Sequence, residues 1–155
     1  MAFVLSFHIF AQNILSPQEF LGYKLGERFT PQHKVFDYFS YVSEQMSNVQ
    51  LEKYGTTNEN RPLFVSFSSV QKNMDKLEEI RLKNLSQTGI KEDLGDGDIA
   101  IVWLSYNVHG NRASATEAAI NTLYKLITEN KSLLENTVVI IDPCLSPDGN
   151  DHYIN

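Results

Sequence analysis

A histidine placed where an apolar run breaks is the residue best positioned to do chemistry in this sequence. Ile99 to Tyr106 is apolar, of strand length and rich in β-branched and aromatic side chains. Asn107-Val-His-Gly-Asn111 interrupts the run, and a helical pattern begins at Ser114. His109 therefore lies past the carboxyl end of a strand, where α/β sheets place ligands. An imidazole there can be a zinc ligand, a general base or a polar residue satisfied by its surroundings. Arg112 follows closely and offers only donors and a permanent positive charge. Cys144, beside Pro143, could act as a nucleophile across the same edge, although a small buried residue is the simpler reading. Arg61, ahead of Pro62, reads as a charged turn residue. Glu92-Asp-Leu-Gly-Asp-Gly-Asp98 is acidic but lacks the spacing and closing Glu of a calcium loop, so it reads as solvated.

Several chemistries are excluded. No Gly-x-Ser-x-Gly supports a serine triad, and no Gly-x-Gly-x-x-Gly follows a strand, so dinucleotide binding has no support. A net charge of −6 without a Lys/Arg cluster argues against a nucleic-acid partner. The single cysteine rules out an internal disulfide and any multi-thiolate metal site.

The 155 residues suffice for one domain with a real core, and 42% hydrophobic with 21% charged residues describes a globular protein. Ala2 to Ala11 is apolar but too short to span a bilayer as a helix, so no membrane span is expected. With small Ala11 before Gln12 it has the look of the end of a signal-peptide apolar region, without the basic start, and predicts export; the other reading is an ordinary apolar N-terminal segment. Residues 12–29, with Pro17, Gly22 and Gly26, read as an extended approach. Thr30-Pro31 then reads as an N-cap with Pro at the first helical position, heading a helix to about Ser47 whose inner face is Val35, Phe39, Val42 and Met46. Val49–Tyr54 and Leu63–Ser68 have strand composition around a turn-rich connector and predict an antiparallel hairpin. Asn73–Gln87 predicts a second helix capped by Gly89. The run at Ile99 reads as a central buried strand. A helix follows from Ser114 to about Asn130 with Ala119, Ile120, Leu123 and Ile127 facing inward, and then the buried strand Thr137–Ile141. Strand, helix, strand is a βαβ unit with parallel strands. The His109 loop and the Asp142-Pro-Cys-Leu-Ser-Pro-Asp-Gly149 loop then leave the same sheet edge, which makes that edge the candidate site.

Asn107-Val-His-Gly-Asn-x-Ala-Ser-x-Thr-Glu-Ala118 is similar to the zinc-ligand segment of the M14 metallocarboxypeptidases, whose motif is His-x-x-Glu at a strand end. Two more features agree in order. Gly55-x-Thr-x-Glu-x-Arg-Pro62 resembles the family's early hairpin signature, and Asp142 to Gly149 resembles its Asn-Pro-Asp-Gly loop, with Ser146 where Asn is usual. The resemblance implies a zinc-dependent exopeptidase acting on the C-termini of peptides or proteins. In such a domain one zinc ion is held by the motif's His, here His109, by its Glu and by a distal His. The metal acts as Lewis acid and lowers the pKa of its bound water, while a distant Glu serves as general base. Downstream arginines bind the substrate's terminal carboxylate.

Two departures qualify what the resemblance implies. The motif's Glu position is Arg112, which cannot ligate. At ~4 Å and an effective dielectric of ~20, a divalent ion beside that cation faces about 8 kcal/mol of repulsion before the side chain relaxes into solvent. Glu117 reads as the N3 member of a capping box with Ser114 rather than as a replacement ligand. The distal His, the arginines and the general base have no counterparts before Asn155, and His152 reads as a loop residue. The expectation is therefore an α/β fold: a mixed sheet with an N-terminal hairpin, parallel central strands and helices on both faces. It would be the N-terminal half of a catalytic domain over residues 18–155, behind a possible leader remnant over 1–17. One sheet edge should be bare, apolar and prone to association, leaving the isolated polypeptide marginally stable. The chain is expected to be catalytically silent, with His109 its one metal ligand. A non-catalytic relative that binds peptide or glycan is the alternative.

Overall fold

A computed structural model describes residues 14–90, 92, 95 and 97–155. The expected signal-like stretch, and Asp93, Leu94 and Asp96 of the acidic loop, lie outside the described residues. Four strands form one sheet in the order β1-β2-β4-β3: β1 is Val49–Thr56, β2 Pro62–Ser68, β3 Ala100–Ser105 and β4 Thr137–Asp142. β1 and β2 are the expected antiparallel hairpin, β2 pairs antiparallel with β4, and β3 pairs parallel with β4 from Ala100↔Thr137 to Ser105↔Asp142. The mixed sheet is thus as anticipated, but β3 stands at its edge rather than at its centre. Val102 and Trp103 are 40% and 60% exposed. An apolar run has the same composition whether a neighbour covers it or not, so the sequence alone does not place it.

Side chains alternate across β2 and β4 and divide the core in two. Phe64, Val139 and Ile141 face α2 (Gln32–Gln45) and α5 (Ser114–Thr128), where Val35, Phe39, Val42, Ala119, Ile120, Leu123 and Ile127 are buried in one cluster. Val65, Val138 and Ile140 face Ile80 of α4 (Leu77–Gln87) in a second, smaller cluster. Helices therefore cover both faces. The predicted second helix is two pieces: α3 (Gln71–Met74) and α4 are separated at Asp75 and Lys76, so the stripe that looked ragged belongs to two axes.

The approach segment also folds more than expected. Ser16 and Glu19 form a reciprocal capping box at the head of α1 (Pro17–Leu21), and Gly22 closes that helix in the left-handed region at φ 77°. Thr30 does not cap α2, which begins after Pro31 without a side-chain cap. Its hydroxyl donates instead to Glu117 Oε1 at 2.8 Å, and the Gly26 N–H donates to Glu117 Oε2 at 2.6 Å. Glu117 is thus no capping-box member. From the first turn of α5 its buried carboxylate straps the segment after α1 onto the core. Glu117→Ala would take the acceptor from the Gly26 amide and leave the buried Thr30 hydroxyl only the Tyr23 hydroxyl, at 3.0 Å, as partner; hydrogen bonds to a charged group contribute about 1.5–3 kcal/mol each. The variant should lose roughly 3 kcal/mol, read as a lower urea midpoint at unchanged slope.

Candidate functional site

Parallel pairing brings the ends of β3 and β4 to one edge, and the two loops leaving it are stitched together. The Tyr106 N–H donates to the Asp142 carbonyl at 2.8 Å, Leu145 N–H to the Tyr106 carbonyl at 3.1 Å, and Ser146 N–H to the Asn107 carbonyl at 3.1 Å. Asn107 turns the chain out of β3 at φ 45°, a left-handed conformation that Asn tolerates better than most residues. Its buried side-chain amide donates to Asn150 Oδ1 at 2.5 Å. His109 follows on the exposed surface, and the Arg112 N–H donates to its carbonyl at 2.9 Å, closing a turn before α5.

The loop after β4 leads into α6 (Pro147–Ile154), with Pro147 in the first turn. Gly110 and Gly149 meet backbone to backbone. A methyl group on Gly110 would collide with the carbonyl of Gly149, and one on Gly149 would lie 3.3 Å from Gly110 Cα and 2.7 Å from Ser146 Oγ. The imidazole-bearing turn is therefore both at the sheet rim and against the Ser146–Gly149 turn.

The third sequence feature reaches the same place from the hairpin. Arg61 donates from Nε to Asp151 Oδ2 at 2.6 Å and from one terminal nitrogen to Asp148 Oδ1 at 2.8 Å and Glu59 Oε2 at 2.5 Å. Thr57 Oγ1 donates to the same Asp148 oxygen at 2.7 Å. These carboxylates hold the Arg61 guanidinium even more firmly protonated than usual, Glu59 first. Arg61 in turn, with His152 beside it, lowers Glu59. Burial opposes the same change at Asp148, but Thr57 and Arg61 prevail and hold it below its ordinary range. So Arg61 is more than a turn charge. His152 lies on α6, not in a loop, with Nε2 2.7 Å from Glu59 Oε1.

Two buried groups complete the edge. Asp142, at the end of β4, accepts from the Tyr54 hydroxyl at 2.7 Å, and burial raises its carboxyl pKa. Burial also pushes the Cys144 thiol up to about 12, so a nucleophilic role has no thiolate to draw on. Cys144 should resist alkylation by iodoacetamide at pH 8 in the folded chain and react promptly in denaturant.

The donor set does not suit zinc. Among the described residues no group of three or more His, Cys, Asp or Glu side chains could hold a metal ion. His109 has beside it in sequence the exposed Arg112, a cation without lone pairs. Sequence reasoning placed His109, Gly110 and the Ser146–Gly149 turn together correctly. It missed Asn107–Asn150 and the partners of Arg61. The signal for the latter was legible: Ser146-Pro147 starts a helix, and Asp148 and Asp151 then share one face.

A mixed α/β sheet with the end of a parallel strand pair, a histidine turn and a Pro-Asp-Gly helix start gathered at one rim defines a zinc-carboxypeptidase-like fold. The sequence profile of the zinc carboxypeptidases, peptidase family M14, matches residues 35–155, and the chain belongs to that family. The solved structure of carboxypeptidase A from Helicoverpa armigera superposes with TM-score 0.64 at 17% identity, over 92% of this chain and 29% of that one. A metallo-carboxypeptidase from Burkholderia cenocepacia gives 0.53 at 17%, over 79% and 28%. Bovine thrombin-activatable fibrinolysis inhibitor, solved with tick carboxypeptidase inhibitor, gives 0.53 at 15%, over 81% and 34%. The chain thus spans about a third or less of these structures' own lengths. No curated protein sequence matches it. No helix among the described residues is long and apolar enough to cross a membrane.

Proposed function

We propose that the domain to which this chain contributes is a zinc-dependent metallocarboxypeptidase acting on peptide and protein C-termini, and that the 155-residue chain by itself is catalytically silent. What supports this reading is the convergence of three family-like motifs on one sheet edge, with His109 exposed at its rim and Arg112 where the family pattern has a carboxylate ligand. One imidazole without partners cannot fix a tetrahedral metal site. The apolar stretch before Gln12 supports action outside the cytoplasm.

The test is direct. The chain is incubated with zinc and a peptide bearing a free C-terminus, and both bound metal and released C-terminal residue are measured. Neither stoichiometric zinc nor release is expected; finding both would overturn the silent assignment.

Arg112 favours a second reading. It is exposed and, among the described residues, no carboxylate is paired with its side chain. A guanidinium three residues along from an exposed imidazole could hold an anionic terminus without cleaving it. Binding of a free-carboxylate peptide that is lost on amidation and lost in Arg112→Gln would select this reading over the first.

A further inference from the structure

We propose that Arg61 is a positioning residue for the His109 turn, acting through α6. The inference rests on the reading that His109 is the functional group of this edge, but its test does not depend on activity. α6 is held from two sides. On one, the Arg61 fork binds Asp151 at 2.6 Å and Asp148 at 2.8 Å, with Thr57 added on Asp148. On the other, Asn150 accepts from Asn107, and Gly149 abuts Gly110.

The two sides are not independent, because the residues held from both sides lie within one short helix. Asp148, Gly149, Asn150 and Asp151 are consecutive, so a shift of α6 toward or away from the hairpin displaces Gly149 against Gly110 by a similar amount. The Gly110–Gly149 contact has no room to absorb such a shift, since even a methyl group does not fit. The next residue back is His109. The hairpin turn at 57–61, far away in sequence, therefore sets where the imidazole stands.

Several features show the Arg61 cluster to be more than surface ion pairing. The Arg61, Asp148 and Asp151 side chains are only 25%, 24% and 15% exposed. The planar fork engages two carboxylates on one helix face at once, a geometry that lysine cannot reproduce. A backbone bond from the Thr57 N–H to the Arg61 carbonyl at 2.9 Å, and one from the Arg61 N–H to Thr57 Oγ1 at 3.1 Å, make the hairpin turn itself rigid. Isolated exposed pairs hold little, but a network that joins two rigid elements transmits position.

The experiment is amide hydrogen exchange by NMR on the full chain, comparing the unaltered protein with Arg61→Gln and Arg61→Lys. Three amides report on the stitched loops: Arg112, bonded to the His109 carbonyl, and Leu145 and Ser146, bonded to Tyr106 and Asn107. Arg61→Gln should speed their exchange roughly tenfold or more, with strand amides of the β2–β4 pair changed far less, and should shift the His109 ring resonances. Arg61→Lys should restore part of the protection. Acceleration spread evenly over strands and loops would overturn the proposal. So would acceleration confined to residues 57–61, with Leu145 and Ser146 unchanged. If Arg61→Gln does not fold, Asp151→Asn removes one arm of the fork, and the same pattern at smaller amplitude, or its absence, decides. Stoichiometric zinc with released C-terminal residue in the earlier test would overturn the silent assignment and leave the positioning role intact, so the two readings fail separately.

Discussion

Arg112→Glu should give the His109 turn a measurable affinity for zinc that the unaltered chain lacks. The substitution does two things at once. It removes a cation whose repulsion of a divalent ion would reach about 8 kcal/mol at ~4 Å in an effective dielectric of ~20, and it supplies an anionic oxygen. Arg112 is exposed and can turn into solvent, so most of that repulsion is already relieved. The net gain should be about 1–3 kcal/mol, roughly ten- to hundredfold in Kd. Arg112→Gln separates the two effects, since it removes the charge without adding a ligand, and should fall between. His109→Ala in the Arg112→Glu background should abolish the gain. Zinc titration by calorimetry reads all four proteins. Tight, stoichiometric binding by the unaltered chain, or no gain over it in either the Gln or the Glu variant, would show that Arg112 is not what keeps metal away.

Gly110→Ala should be among the most damaging single methyl groups that can be added to this protein. The new Cβ would overlap the backbone of Gly149, which cannot rotate away as a side chain could. Overpacking against side chains costs about 1–3 kcal/mol, and against an immobile carbonyl the upper end or beyond is expected, roughly 3 kcal/mol or more. The comparison is Gly55→Ala, where the added carbon would meet Leu63 Cδ1 at 3.7 Å, an ordinary contact. That variant should stay within about 1 kcal/mol of the parent in a urea melt. Equal losses from the two substitutions would mean that the 109–110 turn and the start of α6 are not tightly apposed.

What could be read beforehand was whatever is local. The hairpin, α5 and β4 announce themselves by composition and period, and His109 by standing at the break in an apolar run. The Ser16–Glu19 capping box was also local, but two glycines and a proline nearby suggested irregular chain. The rest depends on partners brought together only by folding. Glu117 meets Gly26 across 91 positions and Arg61 meets Asp151 across 90, so no window of sequence contains either pair. Thr30 has the chemistry of a helix cap and spends its hydroxyl on Glu117 instead. Strand order is the same kind of information: parallel pairing of β3 with β4 follows from the intervening helix, but which of the two has the hairpin as its other neighbour does not.

The outer position of β3 gives the protein a built-in optical reporter. Trp103 is the single tryptophan, and it stands well exposed on that outermost strand. Its emission should accordingly be that of a water-bathed indole, red-shifted and readily quenched by acrylamide. Whatever comes to lie along β3 and shields the ring, a further stretch of polypeptide or a second molecule, would move the spectrum to the blue without any label having been attached.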